Sequence, residues 1–199
     1  MQILARTSPT FRNSRFRLLC SLLGPLMLLA TSYAFAQSVG SGLKPSTVFV
    51  QLGAAEHGQE GTLGATWDLP WRRDFDFCVL SGYLEGAIGR WSGNGENASS
   101  VWFTQVGATP VLRLQLHSWP RGLFAEAGIG ANFIVPIYHN DSKHFSTTFN
   151  FGDHLAIGWQ FGDERKNEVA LRLQHFSNAG IREPNPGENF VQLRYAHRF

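Results

Sequence analysis

Several things are scarce in this chain, and each scarcity removes a class of protein. It has two cysteines in 199 residues. One, Cys20, sits in an N-terminal leader described below, so Cys78 is left alone and no intramolecular disulfide can staple the remainder. No stretch after residue 36 approaches the ~20 apolar residues of a spanning helix, and no 3.6-residue period persists anywhere. Basic residues are not in surplus either. Lys and Arg total 17 against 15 Asp and Glu, but four of the Arg and none of the acids lie in the first 36 residues. The rest therefore holds 13 against 15, a formal charge of −2. No basic patch points to nucleic acid. His57, His117, His139, His144, His154 and His197 are scattered without metal-ligand spacing. Gly128-Ile129-Gly130 lacks the strand-to-helix context of a phosphate loop. Neither a metal nor another cofactor is expected.

The first 36 residues have the pattern of a cleaved secretory signal. Arg6, Arg12, Arg15 and Arg17 form a positive start, Leu18 to Ala30 an apolar run, and Ala34-Phe35-Ala36 a small-x-small cleavage site that leaves Gln37 at the mature N-terminus. The run is shorter than a membrane-spanning helix requires, and Arg17-Leu18-Leu19 before Cys20 lacks the small residues of a lipoprotein cleavage box. Residues 37–199 suit a single domain without linkers or repeats.

What those residues do contain is alternation. Leu80, Leu84 and Ile88 oppose Ser81, Tyr83 and Glu85. Leu112, Leu114 and Leu116 oppose Arg113, Gln115 and His117. Leu123, Ile129 and Phe133 oppose Glu126, Gly128 and Asn132, while Phe149, Phe151, Leu155, Ile157, Trp159 and Phe161 oppose Asn150, Gly152, His154 and Gln160. Val169, Leu171 and Leu173 alternate with Arg172 and Gln174, and Val191, Leu193, Tyr195 and Phe199 with Gln192, Arg194 and Arg198. Adding strands near 47–56 and 59–68 brings the count to eight.

Eight strands of about 10 to 16 residues, each with one apolar and one polar face, predict an all-β fold: an eight-stranded antiparallel transmembrane β-barrel. A soluble sandwich would bury its apolar face in a finite core, whereas here Leu, Ile, Phe or Trp occupies one face along nearly every strand. The polar faces would fill the narrow lumen and leave no wide channel. Trp67, Trp71, Trp91, Trp102, Trp119 and Trp159 fall mostly near strand ends, as in an interfacial girdle. Tight links are expected at Leu69–Asp74, His117–Gly122 and Gly162–Asn167, with longer ones at Trp91–Ser100, Pro136–His144 and Asn178–Gly187, although the first link, around Ala55–Gly58, is also short. Outer-membrane barrels keep short turns at the periplasmic side and long loops outside, so the seventh strand should reach the cell surface at Ser177. Asn97-Ala98-Ser99 matches a glycosylation sequon, which carries little meaning in a bacterial outer membrane.

That seventh strand ends in His175-Phe176-Ser177-Asn178-Ala179-Gly180. Counting by twos from Val169 reaches His175 and then Ser177, so an imidazole and a hydroxyl share the aliphatic, lipid-facing side. A serine hydroxyl becomes a useful nucleophile when a neighbouring imidazole accepts its proton. Ester cleavage then builds an oxyanion, which the Asn178 amide or adjacent backbone N–H groups could stabilise. Plainer roles exist for each: a headgroup-level histidine, a strand-end hydroxyl and a turn-forming asparagine.

The run His175 to Gly180, followed by Pro184-Asn185-Pro186-Gly187 and a terminal aromatic strand, resembles the lipid A 3-O-deacylase family of outer-membrane enzymes over about the last 30 residues. The resemblance implies an esterase that removes the 3-O-linked acyl chain of lipid A, with Ser177 as nucleophile, His175 as base and Asn178 nearby. It also implies an acidic residue after the loop. Counted without gaps, that position is Asn189, with Glu188 beside it. Strand parity puts Asn189 on the outward face, and a bulge after Pro186-Gly187 would favour Glu188 instead. Either could orient the imidazole, since asparagine does so in Cys-His-Asn proteases. Lipopolysaccharide in the outer leaflet is the implied partner, with a homodimer also open. The alternative from another class is a non-catalytic small barrel with a structural or surface-interaction role.

Overall fold

The computed structural model describes residues 44–95 and 99–199; the signal segment and most of the sequon lie outside the described residues. Eight strands run β1 (Thr47–Ala55), β2 (Gly58–Asp74), β3 (Cys78–Asn94), β4 (Ser100–Leu116), β5 (Leu123–Val135), β6 (Phe149–Phe161), β7 (Asn167–Ser177) and β8 (Glu188–Arg198). Every strand pairs antiparallel with its sequence neighbours, and β8 pairs with β1 to close the barrel. Closure leaves no edge strand with unpaired backbone groups, which is what a strand structure needs in lipid.

The period-two pattern decides which side each residue faces. Leu52, Leu63, Ile129, Leu155, Leu173 and Leu193 point outward and are exposed, forming a continuous apolar band. Inward residues are buried although polar. Arg172 clasps Glu85 through both terminal nitrogens, at 3.0 and 3.1 Å, and Arg194 binds the same carboxylate. Arg113 takes Glu168 in a second bidentate pair with both bonds at 2.7 Å, and reaches Glu126 as well. Each of these buried charges thus has an opposite, hydrogen-bonded partner, the condition under which burial of ions is tolerated, while buried Glu60 is held by the Gln51 and Gln192 amides.

Towards the end of the barrel that carries the loops 136–148 and 178–187, the lumen changes character. Trp91, Phe103, Ile134, Tyr138, Phe145, Phe176 and Phe190 form one buried cluster there. Trp91 packs edge-on against Phe176, with ring centres 4.6 Å apart. The interior is therefore plugged by aromatic rings at one end and ion-paired in the middle. Trp91 consequently does not join an interfacial girdle: it shares parity with Glu85, Gly89 and the other inward residues of β3 and is fully buried.

One link also differs from expectation. Leu69–Asp74 is not a turn, because β2 continues to Asp74 with a register shift between Asp68 and Arg72. Pro70 lacks the N–H that a ladder needs, and the strand absorbs it in an irregularity instead of ending. The turn comes at residues 75–77.

Candidate active site

The last turn of the ladder on β7 sets the site. Phe176 points inward, 3 % exposed, into the aromatic plug, which forces its neighbours His175 and Ser177 onto the outward face. His175 stands in register with Asn189 on β8, and its Nδ1 lies 2.8 Å from Asn189 Oδ1. A side-chain carbonyl oxygen only accepts, so Nδ1 carries the proton and donates it. Nε2 then keeps its lone pair, the tautomer a general base requires. On the loop side the imidazole is overlaid by Gly187. A methyl group at that position would stand 2.7 Å from His175 Cε1, and the backbone there has φ +68, which favours glycine.

Glu188 goes the other way. It is 1 % exposed, and its carboxylate accepts from the Tyr138 hydroxyl at 2.9 Å, from Lys143 Nζ at 2.7 Å and from Asn140 Nδ2 at 3.4 Å. Burial and the adjacent carboxylate push the Tyr138 hydroxyl well above its ordinary value, so it remains a donor throughout the neutral range. Glu188 is thereby spent on fastening the loop 136–148 over the barrel mouth. Of the two residues considered as partners for His175, the one that touches the ring is Asn189. No bulge follows Gly187, and parity holds through the start of β8.

The Asn178 side chain turns into the loop. It is 1 % exposed, and both protons of its amide are engaged: one with Ser146 Oγ at 3.0 Å, the other with the Arg182 carbonyl at 2.7 Å. Its Oδ1 accepts from Gly180 N at 2.9 Å, forming an Asx turn. Ser146 donates its own proton to the Arg182 carbonyl. The Asn178 side chain is thus the hub that shapes the loop after Ser177, rather than a donor facing outward. Within that loop the amide of Asn178 bonds Asn185 Oδ1, that of Gly180 bonds Asn178 Oδ1, and that of Ile181 bonds the Asn178 carbonyl. Ala179, at φ 54, supplies the remaining N–H of the turn.

Sequence reasoning overlooked two residues beside the site. Ser146 carries no motif, and only the folded loop brings it to Asn178. Asp153 is the acid in the otherwise apolar outward series Phe149, Phe151, Leu155, Ile157, and it stands in register with His175. Among the described residues no group of three or more His, Cys, Asp or Glu is arranged to hold a metal ion.

His175 and Ser177 thus share the outward face at the end of β7, with the imidazole bonded to Asn189 and no hydrogen bond between the two side chains among the described residues. The family model for lipid A 3-O-deacylase (PagL) matches residues 59–198. The chain belongs to that family. Lipid A deacylase PagL of Bordetella bronchiseptica is 34% identical over 178 residues, covering 87% of this chain and 92% of the relative. The Pseudomonas aeruginosa protein of the same name is 26% identical over 174 residues, with 85% and 96% covered. The crystal structure of the outer membrane enzyme PagL superposes with a TM-score of 0.65 at 25% identity, covering 77% of this chain and 99% of that one. Family membership makes this barrel a deacylase enzyme. It also means that the region matched extends far beyond the last 30 residues, through nearly the whole barrel.

Proposed function

We propose that the protein hydrolyses the ester of the 3-O-linked acyl chain of lipid A in the outer leaflet of the outer membrane, with Ser177 as nucleophile and His175 as base. The observation that carries this reading is the outward position of both residues, at the rim of an apolar band, with the imidazole tautomer set by Asn189. A site on the lumen side would meet water and the aromatic plug; a site on this face meets acyl chains. The longest connections, 136–148 and 178–187, lie at the same end as the site, and long loops belong outside the cell. A substrate whose ester sits just below its sugar headgroup would reach this depth without leaving the membrane.

In the reaction, Ser177 Oγ attacks the ester carbonyl carbon as its proton passes to His175 Nε2. The carbonyl oxygen becomes an oxyanion, for which the Ala179 N–H beyond Ser177 is the available donor of the turn. Collapse breaks the bond to the sugar oxygen, which leaves as the 3-hydroxyl after taking the proton from Nε2. Water then attacks the acyl-serine as one of its protons passes to Nε2; collapse breaks the bond to Ser177 Oγ, which takes that proton back, and the fatty acid leaves. Asn189 holds the ring in place through both halves.

Mass spectrometry of lipid A from cells with and without the protein tests the reading. Loss of a single 3-O-acyl chain, absent with Ser177→Ala, is the expected result. Lipid A of unchanged mass in cells whose outer membrane holds the folded wild-type barrel would overturn it.

A further inference from the structure

Asn189 leaves a deficit. It orients the imidazole but carries no charge, whereas proton transfer from Ser177 turns His175 into a cation that a carboxylate stabilises. The row of outward residues at this level reads Asp153 on β6, His175 on β7 and Asn189 on β8, each in register with the next. Directly opposed residues on adjacent antiparallel strands have Cβ atoms about 5 Å apart. Asp153 is half-buried and points outward, by parity with Phe151 and Leu155. An acid on the lipid face costs energy, so its place beside the imidazole calls for a reason. Among the described residues no direct ion pair joins Asp153 to His175 or to any other cation. Two other carboxylates near the site are committed elsewhere. Glu188 and Lys143 pair inside the barrel, and the Glu183 carboxylate caps the Asn185 amide within the loop that also carries Arg182.

We propose that Asp153 is the electrostatic partner of His175, a positioning residue that supplies from β6 the negative charge which Asn189 lacks on β8. The imidazole is then served from two sides: Asn189 fixes which nitrogen bears the proton, and Asp153 stabilises the positive charge that develops in the transition state. At the membrane interface, where the effective dielectric lies well below that of water, a charge one strand away acts with little screening. This inference rests on the Ser177/His175 reading above.

The test uses purified full-length barrel with lipopolysaccharide in detergent micelles, and released fatty acid is the readout. Asp153→Asn should lower kcat by about tenfold or more with KM unchanged, since the charge matters only once the imidazolium forms. Adding Asn189→Asp to that variant should restore kcat, because it returns a carboxylate to the imidazole from the other strand. Asp153→Leu extends the apolar band and relieves the lipid face of a charge, so it guards against a folding explanation; it too should lose kcat. An unchanged kcat in either single variant, a change confined to KM, or failure of Asn189→Asp to rescue would overturn the proposal. Inactive wild type would overturn the Ser177/His175 reading along with it, whereas active wild type with indifferent Asp153 variants overturns this inference alone.

Discussion

Asn189 Oδ1 and His175 Nδ1 meet at 2.8 Å across the β7–β8 ladder, while Glu188, one residue earlier, faces into the barrel and binds Lys143 at 2.7 Å. Two adjacent residues thus hold two different things in place. Asn189→Ala should cut kcat by roughly a hundredfold, because the imidazole loses its tautomer and orientation. Asn189→Asp should retain or increase activity. Steady-state deacylation of lipopolysaccharide measures both.

Glu188→Ala should act through the loop instead of the chemistry. It leaves Lys143 Nζ and the buried Tyr138 hydroxyl without their acceptor, and breaking a largely buried ion pair costs about 3–5 kcal/mol. The expected result is a lower temperature for the heat-modifiable shift on gels and faster proteolysis at 136–148, with residual activity at low temperature. Removing Lys143 as well should add little, since the two residues share one interaction.

Much of this architecture could be read from alternation alone. The outward series on β5, β6, β7 and β8 needed only a period of two, and the same count put His175 and Ser177 on the lipid side. Parity also favoured Asn189 over Glu188. What alternation could not supply is anything that depends on where two distant segments meet. The Tyr138–Glu188 bond, the Ser146–Asn178 bond and the aromatic plug join positions far apart in the chain. Trp91 and Pro70 misled for a related reason: composition suggests a girdle and a turn, and the register overrides both. Asp153 lies on the outward parity of β6 but belongs to no motif, so nothing in the sequence alone singled it out.

Asn178→Ala should reduce kcat as strongly as loss of an oxyanion donor would, about 10²–10³-fold, although its amide faces the loop interior. The turn after Ser177, which the proposed mechanism uses for the oxyanion, is held by its contacts to Ser146, Arg182 and Gly180. Ser146→Ala removes one of the two acceptors that hold that amide and should give a smaller loss of the same kind, in kcat and not KM. Equal activity of wild type and Ser146→Ala would show that the Arg182 carbonyl alone suffices to hold the loop.

Gly187→Ala separates the ring from the fold. The added methyl would press on His175 Cε1, and φ +68 disfavours any side chain there. Because the residue lies at the mouth, outside the membrane band, barrel assembly and heat modifiability should persist while hydrolysis falls sharply. A Gly187→Ala barrel that keeps wild-type activity would mean the imidazole swings clear of the loop during the reaction.

The membrane placement has its own test. Along β7, Arg172 points inward and is 1 % exposed, whereas Leu173 points outward and is 58 % exposed. Spin labels introduced at 172 and 173, and likewise at 192 and 193 on β8, should alternate: the odd positions accessible to oxygen dissolved in lipid, the even ones shielded from it. Extending the scan upward, accessibility to a water-soluble relaxation agent should rise between 173 and 177 if, as proposed, His175 and Ser177 sit at the interface, where headgroup and acyl chain meet. Uniform water access along β7 would contradict a lipid-facing site, and with it the idea that the substrate reaches Ser177 from within the leaflet. Lipid accessibility undiminished as far as 177 would put the hydroxyl deeper than an ester adjoining a sugar, and the choice of the 3-O bond would then need another explanation.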